Sequence, residues 1–195
     1  MTALSSSIRP LRIGMFGGGT VGGGVYEIIM GRLGGSRNND PSPTTNTSSA
    51  TSSSPTPPTS EIQNKSLRKC IITKICVRDL AKPRSFHIDD IETKLVTDYK
   101  SILEDNSIDL VVEVMGGTGL AKTVVLESLK RGKSVVTANK ALIAEHLDEI
   151  SEAVEKSDGK AVFAYEASVC GGIPVIQTLQ GCFTGDIVHE VMVSI

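Results

Sequence analysis

Leu11-Arg12-Ile13-Gly14-Met15-Phe16-Gly17-Gly18-Gly19-Thr20-Val21-Gly22 is a short apolar run that empties into a cluster of glycines, and it reads as a strand, a tight turn and the start of a helix. Gly17, Gly19 and Gly22 meet the G-x-G-x-x-G spacing. In that pattern the first glycine permits the turn, the second lets the backbone approach a pyrophosphate, and the third allows close packing of helix on strand. The first N–H groups of a helix have no intrahelical partner and the macrodipole is positive there, so such a turn holds an anion without needing a lysine. Downstream, Val21, Val25, Ile28, Ile29 and Leu33 recur at helical spacing, and Gly34-Gly35 closes the helix.

Working outward, the composition changes abruptly. Between residues 40 and 60 everything except Asp40, Asn46 and Ala50 is Ser, Thr or Pro, which leaves nothing to bury and predicts a disordered surface insertion at about 34–66. Order is expected again at Cys70–Val77, β-branched and apolar, as a buried second parallel strand closed by Arg78-Asp79. In a dinucleotide fold the end of this strand faces the adenosine ribose, where an acid reads the 2′-OH and an arginine accommodates a 2′-phosphate. Arg78 stands 56 positions after Gly22, and setting aside the 33 residues of 34–66 leaves 23, close to the ~20 of the fingerprint. Arg78, with Lys82 and Arg84 nearby, favours NADP, while Asp79 beside it keeps NAD open.

The rest alternates between strand and helix. Residues 81–95 read as a mixed-charge connection with no element of their own. A short helix is expected from Asp98, an N-cap residue, to Glu104. Ile108–Met115 is a strand ending in Gly116-Gly117-Thr118, Leu120–Arg131 an amphipathic helix stopped by Gly132, and Ser134–Thr137 a short strand. Ala138-Asn139-Lys140-Ala141 leads into a helix ending near Asp158-Gly159. Ala161–Tyr165 is a further strand, followed by the turn Glu166–Pro174 and a helix from Pro174 to Cys182. Such alternation with short connections predicts an α/β fold built on a doubly wound parallel sheet, and ligands of open α/β sheets bind beyond the carboxyl ends of the strands. Residues 1–186 are therefore assigned to one nucleotide-binding domain, and the apolar stretch 187–195 to the first strand of a second, truncated domain.

The 195 residues and a hydrophobic content of 39% suit one α/β domain with a core, and a net charge of −2 gives no electrostatic footprint for nucleic acid or an anionic membrane. No apolar run approaches the roughly eighteen residues of a membrane span, and Met1–Pro10 lacks the apolar core of a signal peptide, so a cytoplasmic protein is expected. Cys70, Cys76, Cys170 and Cys182 form no C-x-x-C pair and are expected to be reduced and mostly buried.

Four blocks in order, Gly17–Gly22, Val112-Glu113-Val114-Met115-Gly116-Gly117, Val136–Leu142 and Glu166–Pro174, resemble the successive motifs of the homoserine dehydrogenase family. The resemblance covers Ile8 to about Ile195 outside the insertion and corresponds to that family's nucleotide-binding domain. It implies NAD(P)-dependent interconversion of L-homoserine and L-aspartate 4-semialdehyde, in threonine and methionine biosynthesis, by a homodimer. By the same resemblance Phe16, Gly17, Gly19, Thr20, Val21 and Gly22 hold the pyrophosphate, and Gly117 and Thr118 lie along the cofactor. Lys140 reaches the cofactor near the reacting centre as a catalytic residue. Glu166, with the carbonyls of Val169, Gly171 and Ile173, resembles a site for a monovalent cation such as sodium. The family's Asn-Gly-Thr segment, its homoserine-binding acid and its proton-donating lysine have no counterpart in these residues, so this chain alone is expected to be inactive. Two other readings stay open: a non-catalytic dinucleotide-binding or regulatory module, and another two-domain NADP-dependent reductase such as an aspartate-semialdehyde-type enzyme.

Overall fold

Strand β1, Leu11–Phe16, is flanked on both sides by parallel partners and buried on both faces, which is why its sequence is nearly continuous in apolar residues. The computed structural model describes residues 9–33, 69–182, 185, 187, 189 and 190. Within them, α1 is Thr20–Leu33, β2 Cys70–Cys76, β3 Lys94–Val96, α2 Lys100–Leu103, β4 Leu110–Glu113 and α3 Gly119–Lys130. β5 is Ser134–Thr137, α4 Lys140–Glu155, β6 Phe163–Ala164 and α5 Val175–Cys182, with a single 3₁₀ turn at Glu166–Ser168. The six strands form one all-parallel sheet in the order β3-β2-β1-β4-β5-β6. This is the doubly wound arrangement expected from the alternation of elements, and its order reverses between β1 and β4.

Alternate side chains of β1 feed two cores. Phe16 joins Ile102, Leu103, Val124, Leu129, Leu142 and Ile150 beneath α2, α3 and α4, whereas Ile13 and Met15 pack with Ile72, Ile75, Tyr26 and Phe86 beneath α1. Each such side chain contributes about 1.5–3 kcal/mol by leaving water. Leu129, with no exposed surface, is a position where truncation to Ala removes about 2–5 kcal/mol.

Several elements differ from the sequence expectation. The connection 81–95 in fact ends in a strand, β3, an edge piece of three residues whose apolar content is only Leu95 and Val96. It is pinned by Thr93, fully buried, whose hydroxyl donates to the Ile72 carbonyl at 2.6 Å. Tyr26 holds the preceding loop through a 3.0 Å bond from the Asp89 N–H to its hydroxyl. Asp98 accepts from the Lys100 N–H at 3.0 Å but stands one residue before the N-cap, which is Tyr99, and the helix is one turn long. β6 is shorter than 161–165 because only Val135 and Val136 of β5 pair with it. Of the cysteines, Cys76 is buried, Cys70 and Cys170 are partly exposed and Cys182 is exposed, so the expectation of mostly buried thiols does not hold. The predicted insertion at 34–66 lies outside the described residues, as does most of the predicted strand 187–195; Ile187, His189 and Glu190 carry no strand structure. Among the described residues no helix is long and apolar enough to cross a membrane.

Candidate cofactor site at the carboxyl ends of the strands

The glycine turn is built by contacts that exclude side chains. Gly17 has φ +110°, and a Cβ there would stand 2.6 Å from the Val114 carbonyl oxygen; its N–H donates to the Cys76 carbonyl at 3.0 Å. A Cβ on Gly22 would stand 2.2 Å from the Gly17 carbonyl oxygen. Thus two of the three glycines are dictated by the packing of the turn on β4 and of α1 on the turn. Gly19 differs: a Cβ there meets nothing within 4 Å, and Gly19, Thr20 and Val21 are all exposed. No acidic side chain occupies the first turn of α1, so no carboxylate of its own caps the free N–H groups there. Phe16 enters the core completely, which leaves only its backbone to this turn.

The loop after β2 lies beside the turn. Arg78, Asp79 and Lys82 are exposed. Asp79 turns one carboxylate oxygen back to accept the Ala81 N–H at 2.8 Å. Arg84 donates to the carbonyls of Asp79 (2.7 Å), Lys82 (2.9 Å) and Leu80 (3.3 Å), so one guanidinium ties the loop into a knot. Its Nε is buried without a hydrogen-bond partner and would be 3.3 Å from a Cβ on Gly18. The sequence places Arg84 near Arg78 in support of NADP; the structure presses it against the glycine turn.

A second turn closes the site from the β4 and β5 side. Gly116 and Gly117 both have positive φ, +77° and +73°, and Thr118 precedes α3 without making a side-chain cap. Asn139 caps α4 by accepting the Leu142 N–H at 3.2 Å, and its side-chain amide donates to the Gly117 carbonyl at 2.6 Å. Lys140 follows as the first residue of α4 and is exposed. A cation is electrostatically unfavourable at a helix N-terminus. Beneath these turns Glu113 is fully buried and accepts from the Met115 N–H (2.8 Å) and the Thr137 hydroxyl (2.6 Å). Glu113, Thr137 and Asn139 were not singled out from sequence as site residues; the available signal was one acid inside the apolar run Val111–Met115.

Glu166 sits in the 3₁₀ turn and accepts the Ile176 N–H (3.0 Å) and the Gln177 N–H (2.8 Å), one on each carboxylate oxygen, which makes it a cap for α5. Val169, Gly171 and Ile173 occupy the turn between these elements, where Cys170 and Gly171 have φ +55° and +61°. The Ile173 carbonyl accepts the Val175 N–H at 2.8 Å. Among the described residues no group of three His, Cys, Asp or Glu side chains is arranged to hold a metal ion.

The all-parallel sheet, its order and the glycine turn seated where that order reverses define a doubly wound, dinucleotide-binding α/β domain. Residues 56–164 match the family model described as homoserine dehydrogenase, NAD binding domain, and the chain belongs to that family. It is similar to the homoserine dehydrogenase of Corynebacterium glutamicum, 43% identical over 119 residues, covering 60% of this chain and 25% of that protein. It is also similar to the Bacillus subtilis enzyme of the same name, 31% identical over 189 residues, 95% of this chain and 36% of that protein. Among solved structures, a homoserine dehydrogenase from Thiobacillus denitrificans superposes with a TM-score of 0.64 at 29% identity, covering 90% of this chain and 34% of that one. The chain therefore spans between a quarter and a little over a third of these relatives.

Proposed function

We propose that this chain supplies the cofactor half of a homoserine dehydrogenase, which interconverts L-homoserine and L-aspartate 4-semialdehyde with NAD(P). The observation that carries the reading is the contrast at the glycine turn: Gly17 and Gly22 are required by packing, while the space over Gly19 is open. A pyrophosphate fits that cradle, because the exposed backbone from Gly19 to Val21 and the α1 N-terminus offer N–H donors and positive potential without a competing carboxylate. A nicotinamide dinucleotide held by this turn would supply the hydride acceptor for oxidation of a carbinol carbon and the hydride donor for the reverse reduction.

The residues of this chain bind and orient. Arg78 meets the adenosine ribose and favours NADP, because the neighbouring Asp79 turns part of its carboxylate into its own loop. Gly117 and Thr118 line the cofactor, and Lys140 brings an ammonium to its reacting end, where it offsets phosphate charge or polarises a developing alkoxide. A monovalent cation at Glu166, Val169, Gly171 and Ile173 belongs to the same reading. Glu166 keeps a lone pair on each oxygen after accepting its two N–H bonds, so a hard cation finds an oxygen donor already oriented by α5. Homoserine itself is held by residues beyond the cofactor half, as is dimerisation, so residues 1–186 act as a nucleotide-binding unit and this chain alone turns homoserine over slowly or not at all.

Calorimetric titration of NADP+ and NAD+ into the purified chain tests the reading. Binding of at least one dinucleotide is expected, NADP+ more tightly; absence of binding to either by a folded sample overturns it.

A further inference from the structure

Glu113 lies at the carboxyl end of β4 with no exposed surface, and among the described residues no lysine, arginine or histidine pairs with it. Burying a carboxylate without a counter-charge is expensive, and a Val in its place would satisfy the core. Its hydrogen bonds explain what the acid does there. The Asn139 N–H donates to the Thr137 hydroxyl at 3.0 Å, which sends the hydroxyl proton onward to Glu113 Oε2 at 2.6 Å. The Met115 N–H donates to Glu113 Oε1 at 2.8 Å. Both oxygens act as acceptors, the arrangement an ionised carboxylate suits. One donor leads into the Gly116-Gly117 turn and the other into the turn that starts α4. The two turns are joined again above the carboxylate by the Asn139 amide on the Gly117 carbonyl at 2.6 Å, and Ser168 donates to the Thr137 carbonyl at 3.0 Å.

We infer that Glu113 is a positioning residue for the cofactor: through Met115 on one side and Thr137 and Asn139 on the other, it fixes the glycine turn at 116–117 relative to Lys140. This rests on the cofactor-binding reading above and adds a residue that does not itself reach the ligand. Gln is the same shape but breaks the relay. Its amide nitrogen must face either the Thr137 hydroxyl or the Met115 N–H, and in either orientation one buried donor is left without an acceptor.

The test is a double-mutant cycle on the full chain, read by calorimetry with NADP+ and checked by circular dichroism. E113Q and T137V are each expected to weaken binding about tenfold, the effect of one lost buried hydrogen bond. T137S, which restores the hydroxyl, is expected to recover most of that loss. Because Glu113 acts through the placement of Lys140, E113Q should lose at least about threefold less affinity in a K140M background than in the native one. A role confined to core stability gives independent losses that multiply. If the unaltered chain binds no dinucleotide, the cofactor reading fails and this inference with it. If it binds and E113Q and T137V match it, or the losses multiply, only the positioning role is overturned. Should E113Q fail to fold, the T137V, K140M and T137S set decides the question alone.

Discussion

The carbonyl oxygen of Gly17 lies 2.2 Å from the position a Cβ on Gly22 would occupy, so the first and last glycines of the turn hold each other in place. Gly19, between them, faces open space. Substitution by alanine should therefore separate fold from function. G22A forces α1 off the Gly17 turn and is expected to lower stability by about 1–3 kcal/mol, as overpacking does. G19A meets no clash and removes backbone freedom from the unfolded chain, so stability should hold or rise by about 0.4–1 kcal/mol. Its methyl nevertheless enters the space a pyrophosphate needs, and dinucleotide affinity should fall at least about tenfold. Thermal denaturation together with calorimetry reads both variants; loss of stability in G19A without loss of affinity would contradict this division.

The proposed role of Arg78 in cofactor choice is tested on the loop after β2. R78A should weaken NADP+ about tenfold, the scale of one charge-assisted hydrogen bond, and leave NAD+ within about twofold. Equal loss for both dinucleotides would remove Arg78 from the ribose site. R84A should affect both, because three of the carbonyls that shape the loop lose their donor.

Glu166 caps α5, whatever else it binds. E166A frees the Ile176 and Gln177 N–H groups and is expected to destabilise that helix by about 1 kcal/mol. Hydrogen exchange at those two amides is the direct readout. Adding sodium or potassium should slow exchange there in the native chain and not in E166A if a cation shares the carboxylate; identical traces with and without salt would exclude the cation.

Stability in acid should report on Asp105. Partial burial pushes its carboxyl up, but bonds from the Lys74 ammonium, 2.8 Å away, and from the Ser107 hydroxyl and N–H outweigh this and hold it well below the usual range. A folded-state value below the unfolded one contributes stability above the unfolded value of 3.8, and that stability is lost as pH falls through the folded value. The melting temperature of the native chain should exceed that of D105N by a constant margin above about pH 5, and the margin should shrink progressively as pH falls below about 4, with a large part still present at about pH 3. A margin that stays constant to pH 2 or below would show that the pair contributes nothing electrostatic.

How much could be read without coordinates follows from the range of each interaction. Apolar runs of strand length, helical stripes and glycine spacings act over a few residues, so the α/β alternation, the nucleotide turn and the placing of Lys140 after Thr137-Ala138-Asn139 were legible in the chain. The family likeness rested on the same local blocks. β3 was missed because a three-residue edge strand with Lys94 at its head has no pattern of its own and exists because β2 offers it partners. The fold of Arg84 onto Gly18, the capping of α5 by Glu166 from ten residues away and the Glu113–Thr137 bond across 24 residues were likewise invisible in the sequence. Each depends on which polar groups the folded sheet leaves buried beside one another. That is a property of packing in three dimensions: local sequence sets where a strand ends, but only the neighbouring strand decides what its last carboxylate will meet.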